Sequence, residues 1–284
     1  MSELLQTLPA TEALPDGEAM SDDVPRIGGI WNLPVRGPEI DPLDPAIVEA
    51  FKGISSATAC AQLHRLGITQ TLIEGPTTTM PGTRVVGRAV TLQFMPLRED
   101  IYQDAGETQE YVERATALWG VLDEIQPGDV LVVQAYGSTR SGVVGEMLAQ
   151  HLQNRGGVGL VVDGRIRDSQ AVREDGLPVW SLGGTPHYAS QGELFAWAYH
   201  VPIAVGGALV IPGDIIIADD DGAVVVPVAK AEAVLTASKK HDDWEVFSRM
   251  KLRSGGALRR YYPLNEAGKA EYEQWISDGR PQIG

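Results

Sequence analysis

Apolar residues along this chain recur at two spacings, and the two alternate. Three-and-four spacing marks helices, and short apolar runs or strict alternation mark strands. The first helical pattern opens at Asp44 or Pro45 and carries Ile47, Val48 and Phe51 on one face. A second covers residues 57–66, with Ala59, Leu63 and Leu66 in line and Gly67 as its stop. Residues 71–81 are rich in Pro and Gly and read as loop, and 85–94 read as a strand. Residues 111–122 are amphipathic (Val112, Ala115, Leu118, Trp119, Leu122), and Pro127, Gly128 and Asp129 turn the chain into a strand at 130–133. A loop at 136–141 leads to a helix from Val144 or Gly145 to Arg155, then to an apolar run that ends at Asp163-Gly164.

Further on, 178–182, 201–205 and 209–211 read as short strands. A loop of Gly183, Gly184, Thr185 and Pro186 follows the first of them. Pro212, Gly213 and Asp214 feed a hairpin of 215–218 and 223–226, turned by the acidic run Asp219, Asp220, Asp221 and Gly222. Residues 230–250 and 265–276 are helical in pattern, the last capped by Asn265. The alternation of strands and helices predicts an α/β fold. It divides into an N-terminal arm (1–40) rich in Pro, Gly and acids, a central domain (41–229) and a C-terminal helical extension (230–284). Ile30-Trp31 is a candidate docking anchor in the arm.

Composition narrows the function. Hydrophobic residues make up 43%, enough for a sizeable core. The net charge of -15, without a Lys/Arg cluster, argues against a nucleic-acid face. The single cysteine, Cys60, allows no intrachain disulfide. No apolar run reaches membrane-spanning length and the opening residues do not resemble a leader, so a cytoplasmic protein is expected.

The chemistry is expected around residues 142–168. If the strands on either side of the helix are parallel neighbours, their carboxyl ends lie side by side. That gathers the glycine loop, the start of the helix and the 163–168 turn at one sheet edge. A dinucleotide fingerprint is lacking, since Gly137, Gly142 and Gly145 form no G-x-G. A phosphate loop is lacking too, because Val143 stands where its lysine must be. The free N–H groups at the helix start suit an anion, and Gly142 and Gly145 either let one approach or allow close helix–sheet packing. In an extended segment Arg165 and Arg167 would point one way, Ile166 and Asp168 the other. Asp163 and Asp168 are candidate oxygen ligands for Mg²⁺ or Mn²⁺; an isolated Arg-Asp is more often an ordinary surface ion pair, and it is the convergence with the helix start and Glu146 that favours a site. The five histidines show no zinc-ligand spacing; His151 reads as packing, and His187, after a glycine loop, is the one to test.

Glu146, twenty intervening residues, then Arg167-Asp168, set among GEMLA, GGVGLVVDGRIRD, GLPVWSLGGTP and PGDIIIADDDGAVVVP, resembles the signature of the RraA-like family. That family holds 4-hydroxy-4-methyl-2-oxoglutarate / 4-carboxy-4-hydroxy-2-oxoadipate aldolases and regulators of ribonuclease activity. The resemblance spans roughly residues 54–227. It implies an αββα sandwich like the swivelling phosphohistidine domain, in homotrimers or homohexamers with sites between subunits. It also implies that Asp168 binds Mg²⁺ or Mn²⁺, that Arg167 holds the pyruvoyl part and steadies its enolate, and that Glu146 orients a water of the metal's shell. Backbone N–H groups of Gly145, Glu146, Met147 and Leu148 would receive the substrate carboxylate. The expected function is a metal-dependent lyase that cleaves a 4-hydroxy-2-oxo acid to pyruvate, with oxaloacetate decarboxylation as a side activity. Two alternatives stand beside it: a non-enzymatic regulator binding a ribonuclease, and a metal-dependent dehydratase of a sugar-acid derivative.

Overall fold

The structure, a computed structural model, describes residues 33–98, 116–188 and 193–281. Most of the arm, the N-terminal half of the 111–122 pattern and the anchor Ile30-Trp31 lie outside the described residues. β1 is Val35–Arg36. α1 is Pro45–Phe51, capped by the Asp44 carboxylate on the Ala46 N–H, and α2 is Ser56–Arg65, capped by Ser55. The region read as loop contains two short strands, β2 (Leu72–Ile73) and β3 (Thr77–Thr78), which form the two ends of the main sheet. They are two residues long, and a pattern of period two has no room to show in them.

β4 is Val85–Pro96 and α3 is Ala117–Asp123. β5 (Asp129–Gln134), α4 (Glu146–Asn154) and β6 (Gly159–Val162) form the anticipated strand–helix–strand unit. α5 (Ser169–Glu174) and β7 (Val179–Ser181) follow. β8 is Leu194–Tyr199, β9 Ile203–Val205 and β10 Ala208–Val210. β11 (Ile215–Asp219) and β12 (Gly222–Val226) are the anticipated hairpin, in register with Asp219 opposite Gly222. α6 (Ala231–Arg253), α7 (Leu258–Tyr261) and α8 (Glu266–Ser277) end the chain, α8 capped by the Asn265 side chain on the Gly268 N–H.

The main sheet runs β2-β12-β11-β4-β5-β6-β7-β3, with β8 on β4 and β1 on β8. β4, β5, β6 and β7 are parallel. β4 is the hinge of the molecule. On one edge it pairs β5 over Arg88–Gln93; on the other it pairs β11 over Val85–Arg88 and β8 over Leu92–Pro96, with a bulge between Gln93 and Phe94. Alternation then fills three core layers. Val130, Val132, Val161 and Trp180 from one half of the sheet meet Ile216, Ala218, Ala223 and Val225 from the other, together with the β9–β10 hairpin. The Trp180 indole N–H donates to the Asp219 carbonyl at 2.8 Å, joining the halves through this inner layer. The opposite residues of β5 and β6 (Leu131, Val133, Leu160, Val162) face α3, α4 and α5. Those of β11 and β12 (Ile215, Ile217, Val224, Val226) face α1, α2 and α6. Helices therefore cover both outer faces of a sheet folded upon itself, as αββα layering requires. Strands buried on both faces explain why these segments read as continuous apolar runs.

Candidate active site

The parallel pairing of β5 and β6 makes their carboxyl ends neighbours. Asp163 ties them together. Its carbonyl accepts from the Gly137 N–H at 2.7 Å, and its carboxylate accepts from the N–H of Ala135 and, at 3.3 Å, of Gly206. Burial pushes the Asp163 carboxyl up and these backbone donors pull it the other way. A side chain engaged in this way is a clamp. The pairing of Asp163 with Asp168 around a metal is thereby corrected, since Asp163 lines no part of the cavity that Asp168 lines.

Residues 142–144 then run as an extended rail. Gly142 donates to the His187 carbonyl (2.9 Å), Val143 to that of Arg165 (3.0 Å), and Val144 accepts from the Arg167 N–H (2.9 Å). A Cβ at Gly142 would stand 2.7 Å from the His187 carbonyl oxygen and 3.0 Å from the Arg167 nitrogen, so only glycine lets the three segments close. His187 contributes its backbone here, and His151 sets its ring 3.3 Å from Asp123. Gly145 caps α4, and the Ala149 N–H closes the first helical bond on its carbonyl at 2.9 Å. The N–H groups of Glu146, Met147 and Leu148 thus have no partner within the helix.

Alternation at 165–168 fails where it matters. Ile166 is buried as expected, and the Arg165 guanidinium donates to the Gly184 carbonyl at 3.0 Å. Asp168, however, adopts the left-handed conformation (φ 53°, ψ 36°). The turn brings its carboxylate round to the Arg167 side: Oδ2 lies 3.7 Å from Arg167 Nε and 3.5 Å from the Glu146 nitrogen. A Cβ at Gly145 would lie 3.1 Å from that same oxygen. Arg167 also sits with its guanidinium carbon 5.9 Å from the centre of the Tyr188 ring, while its Nε is shielded from solvent without a hydrogen bond.

Gly145, Glu146, Met147, Leu148, Arg167 and Asp168 all line one cavity of about 400 Å³. Glu146 and Asp168 also border a shallower cleft with Ser169, Glu174 and Thr185, so they stand between a pocket and open solvent. Among the described residues no three His, Cys, Asp or Glu side chains converge. The donor set is Asp168, 40% exposed, with Glu146 lining the same cavity. Two carboxylates suit a hard cation whose shell is completed by water and substrate, which is how Mg²⁺ is commonly held. A side chain at Gly145 would crowd Asp168 Oδ2.

The apolar wall of the cavity was not foreseen. It is built from Phe94 of β4, Leu118 and Trp119 of α3, and Leu194 and Phe195 of β8; β4 and β8 pair antiparallel, with Phe94 opposite Ala196 and Met95 opposite Phe195. The apolar run at 194–199 is the signal that could have located it.

An α/β fold with a small acidic and basic cavity at the carboxyl ends of its parallel strands defines a class of small-ligand protein. The chain belongs to the RraA-like family (Aldolase/RraA), whose model matches residues 48–225. A putative 4-hydroxy-4-methyl-2-oxoglutarate aldolase of Halalkalibacterium halodurans is 35% identical over 146 residues, 51% of this chain and 69% of that one. Among solved structures, RraAS2 of Streptomyces coelicolor is described as an unusual member of the RNase ES inhibitor RraA protein family. It is 54% identical, with a TM-score of 0.68, over 75% of this chain and 100% of its own. An uncharacterized protein of Pseudomonas syringae is 25% identical, with a TM-score of 0.66, over 78% and 98% of the two chains. The family thus contains both aldolases and RraA regulators.

Proposed function

We propose that the protein is a divalent-metal-dependent lyase that cleaves a 4-hydroxy-2-oxo acid to pyruvate by a retro-aldol step. The observation that carries this reading is the convergence of Asp168, Arg167, Glu146 and the open start of α4 on one cavity. Asp168, with Glu146 next to it, would hold Mg²⁺ or Mn²⁺, which would supply Lewis-acid polarisation of the 2-oxo group. Arg167 binds the pyruvoyl part, and its fixed charge compensates the negative charge that develops on the C2 oxygen as the enolate forms. Tyr188 beneath the guanidinium keeps it in place. The N–H groups of Glu146, Met147 and Leu148 receive the C1 carboxylate. Glu146 is the ionisable group placed to take the C4 hydroxyl proton and return one to C3. Oxaloacetate decarboxylation passes through the same enolate and follows as a side activity.

The test is pyruvate release from 4-hydroxy-2-oxo acids with Mg²⁺ or Mn²⁺. Chelation is expected to abolish it, and Asp168→Asn and Arg167→Ala to lower it by about 10²–10³-fold. Full release by the Asp168→Asn protein would end the assignment.

A second reading is favoured by one observation, the 54% identity to RraAS2: a regulator that binds a ribonuclease. Tight capture of a ribonuclease by the full chain, with no metal uptake, would establish it in place of the enzyme.

A further inference from the structure

The lining of the cavity is of two kinds. Arg167, Asp168, Glu146 and the start of α4 supply its charge, and Phe94, Leu118, Trp119, Leu194 and Phe195 its apolar surface. Among the described residues that line it, Arg167 is the only cation. On the reading above, which this inference rests on, that cation and the helix start are occupied by the pyruvoyl half of the substrate. A second carboxylate on C4 would be pressed against aromatic and aliphatic side chains, with no cationic side chain left among the described residues of the lining to replace its water, which is strongly unfavourable. An alkyl or aryl group there would be desolvated favourably. Trp119, 41% exposed, and Met147, 70% exposed, leave further apolar surface open to such a group.

We infer that the preferred substrates are 4-hydroxy-2-oxo monocarboxylates whose C4 carries an apolar substituent, cleaved to pyruvate and an apolar aldehyde or ketone. The C4 hydroxyl gives up its proton and becomes the carbonyl as the C3–C4 bond breaks. The bonding pair passes to the enolate, and a proton returned to C3 completes the pyruvate methyl, so no oxidant or reductant is consumed.

The experiment compares, for the full chain with Mg²⁺, cleavage of 4-hydroxy-2-oxo-4-phenylbutanoate and of the dicarboxylate 4-hydroxy-4-methyl-2-oxoglutarate. Uptake of deuterium from solvent into the methyl group of pyruvate is measured in parallel. The phenyl substrate should be favoured in kcat/KM by about tenfold or more. Trp119→Arg, which places a cation in the apolar wall, should shift the ratio toward the dicarboxylate. Deuterium uptake with the dicarboxylate preferred by the unaltered protein overturns the inference and leaves the lyase reading standing. No deuterium uptake and no cleavage of either substrate overturns the lyase reading and the inference with it.

Discussion

At Asp168 the backbone enters the left-handed region, which Asp and Asn tolerate better than most residues. That conformation brings the carboxylate to the Arg167 side, and it makes Asp168→Asn a clean substitution. Asparagine keeps the shape and the φ preference and removes only the charge. The variant is expected to unfold within ~0.5 kcal/mol of the unaltered protein while losing activity. A matching loss of stability in chemical denaturation would mean that the carboxylate serves the fold. Gly145 makes the complementary case. Its missing Cβ is the space beside Asp168 Oδ2, and Gly145→Ala, at a φ of -109° that alanine accepts, fills it. Metal affinity measured by calorimetry should fall about tenfold or more, with helix content unchanged in circular dichroism. The residue types of this site were legible from the chain because Glu146 and the Arg-Asp pair keep a fixed spacing around a strand–helix–strand unit. The orientation of Asp168 was not, since a single left-handed residue breaks alternation without changing any apolar pattern.

At the scale of elements, one tertiary cap links the acidic hairpin to the helical layer. The Asp219 carboxylate accepts from the Ser56 N–H at 2.9 Å and from the Ser56 hydroxyl, at the first residue of α2. Its carbonyl holds the Trp180 indole. Asp220 in turn accepts from the Gly82 N–H at 2.8 Å. The run of aspartates read as turn chemistry therefore also fastens β11–β12 to α2 and to the loop before β4. Asp219→Ala should cost about 1–3 kcal/mol in denaturant unfolding, through a lost cap and buried donors without partners. A change under ~0.5 kcal/mol would show the contacts to be incidental. Among the elements that escaped the pattern, two are longer than a single turn or bridge. α5 has six residues, too few to display a helical period, and β8 (LFAWAY) has both faces covered, so it shows no alternation.

At the scale of the whole molecule, the sheet folded at β4 places the cavity beneath β8, and β8 is itself edged by β1. That edge is pinned by charge. Arg36 donates to both oxygens of Glu124 at 2.8 Å, and Tyr199 and His200 each lie 3.0 Å from the same carboxylate. Burial holds the His200 imidazole below its ordinary 6.5, although Glu124 pulls it up. For Glu124, burial pushes up, but hydrogen bonds from Arg36 and Tyr199 prevail and hold the carboxyl below its ordinary 4.5. Both shifts have one sign for stability: it is fully present above the unfolded values and lost as pH falls through the folded ones. His200 acts first, as pH falls through and below about 6.5, and Glu124 only near and below the ordinary carboxylate range. Asp163 and Asp214, raised by burial, act in the opposite direction nearer pH 4. The melting temperature should therefore fall between about pH 7.5 and 5.5, and His200→Asn, which suits the local φ of 54°, should flatten that slope. Equal slopes in the two proteins would remove His200 from the account. Beyond this body, α6 carries the chain to a separate small core of Phe247, Tyr261 and Trp275. Among the described residues no helix is long and apolar enough to cross a membrane.

The central claim is that Arg167, Asp168 and Glu146 form one enolate-stabilising site. Exchange of the pyruvate methyl hydrogens with deuterated solvent, followed by mass spectrometry, tests it without any choice of aldol acceptor. The account predicts exchange that requires Mg²⁺ or Mn²⁺, stops on chelation, returns when metal is restored, and is lost in Asp168→Asn and Arg167→Ala. Exchange that persists at full rate in the Asp168→Asn protein, or that never rises above the buffer rate in the metal-loaded protein, would contradict it.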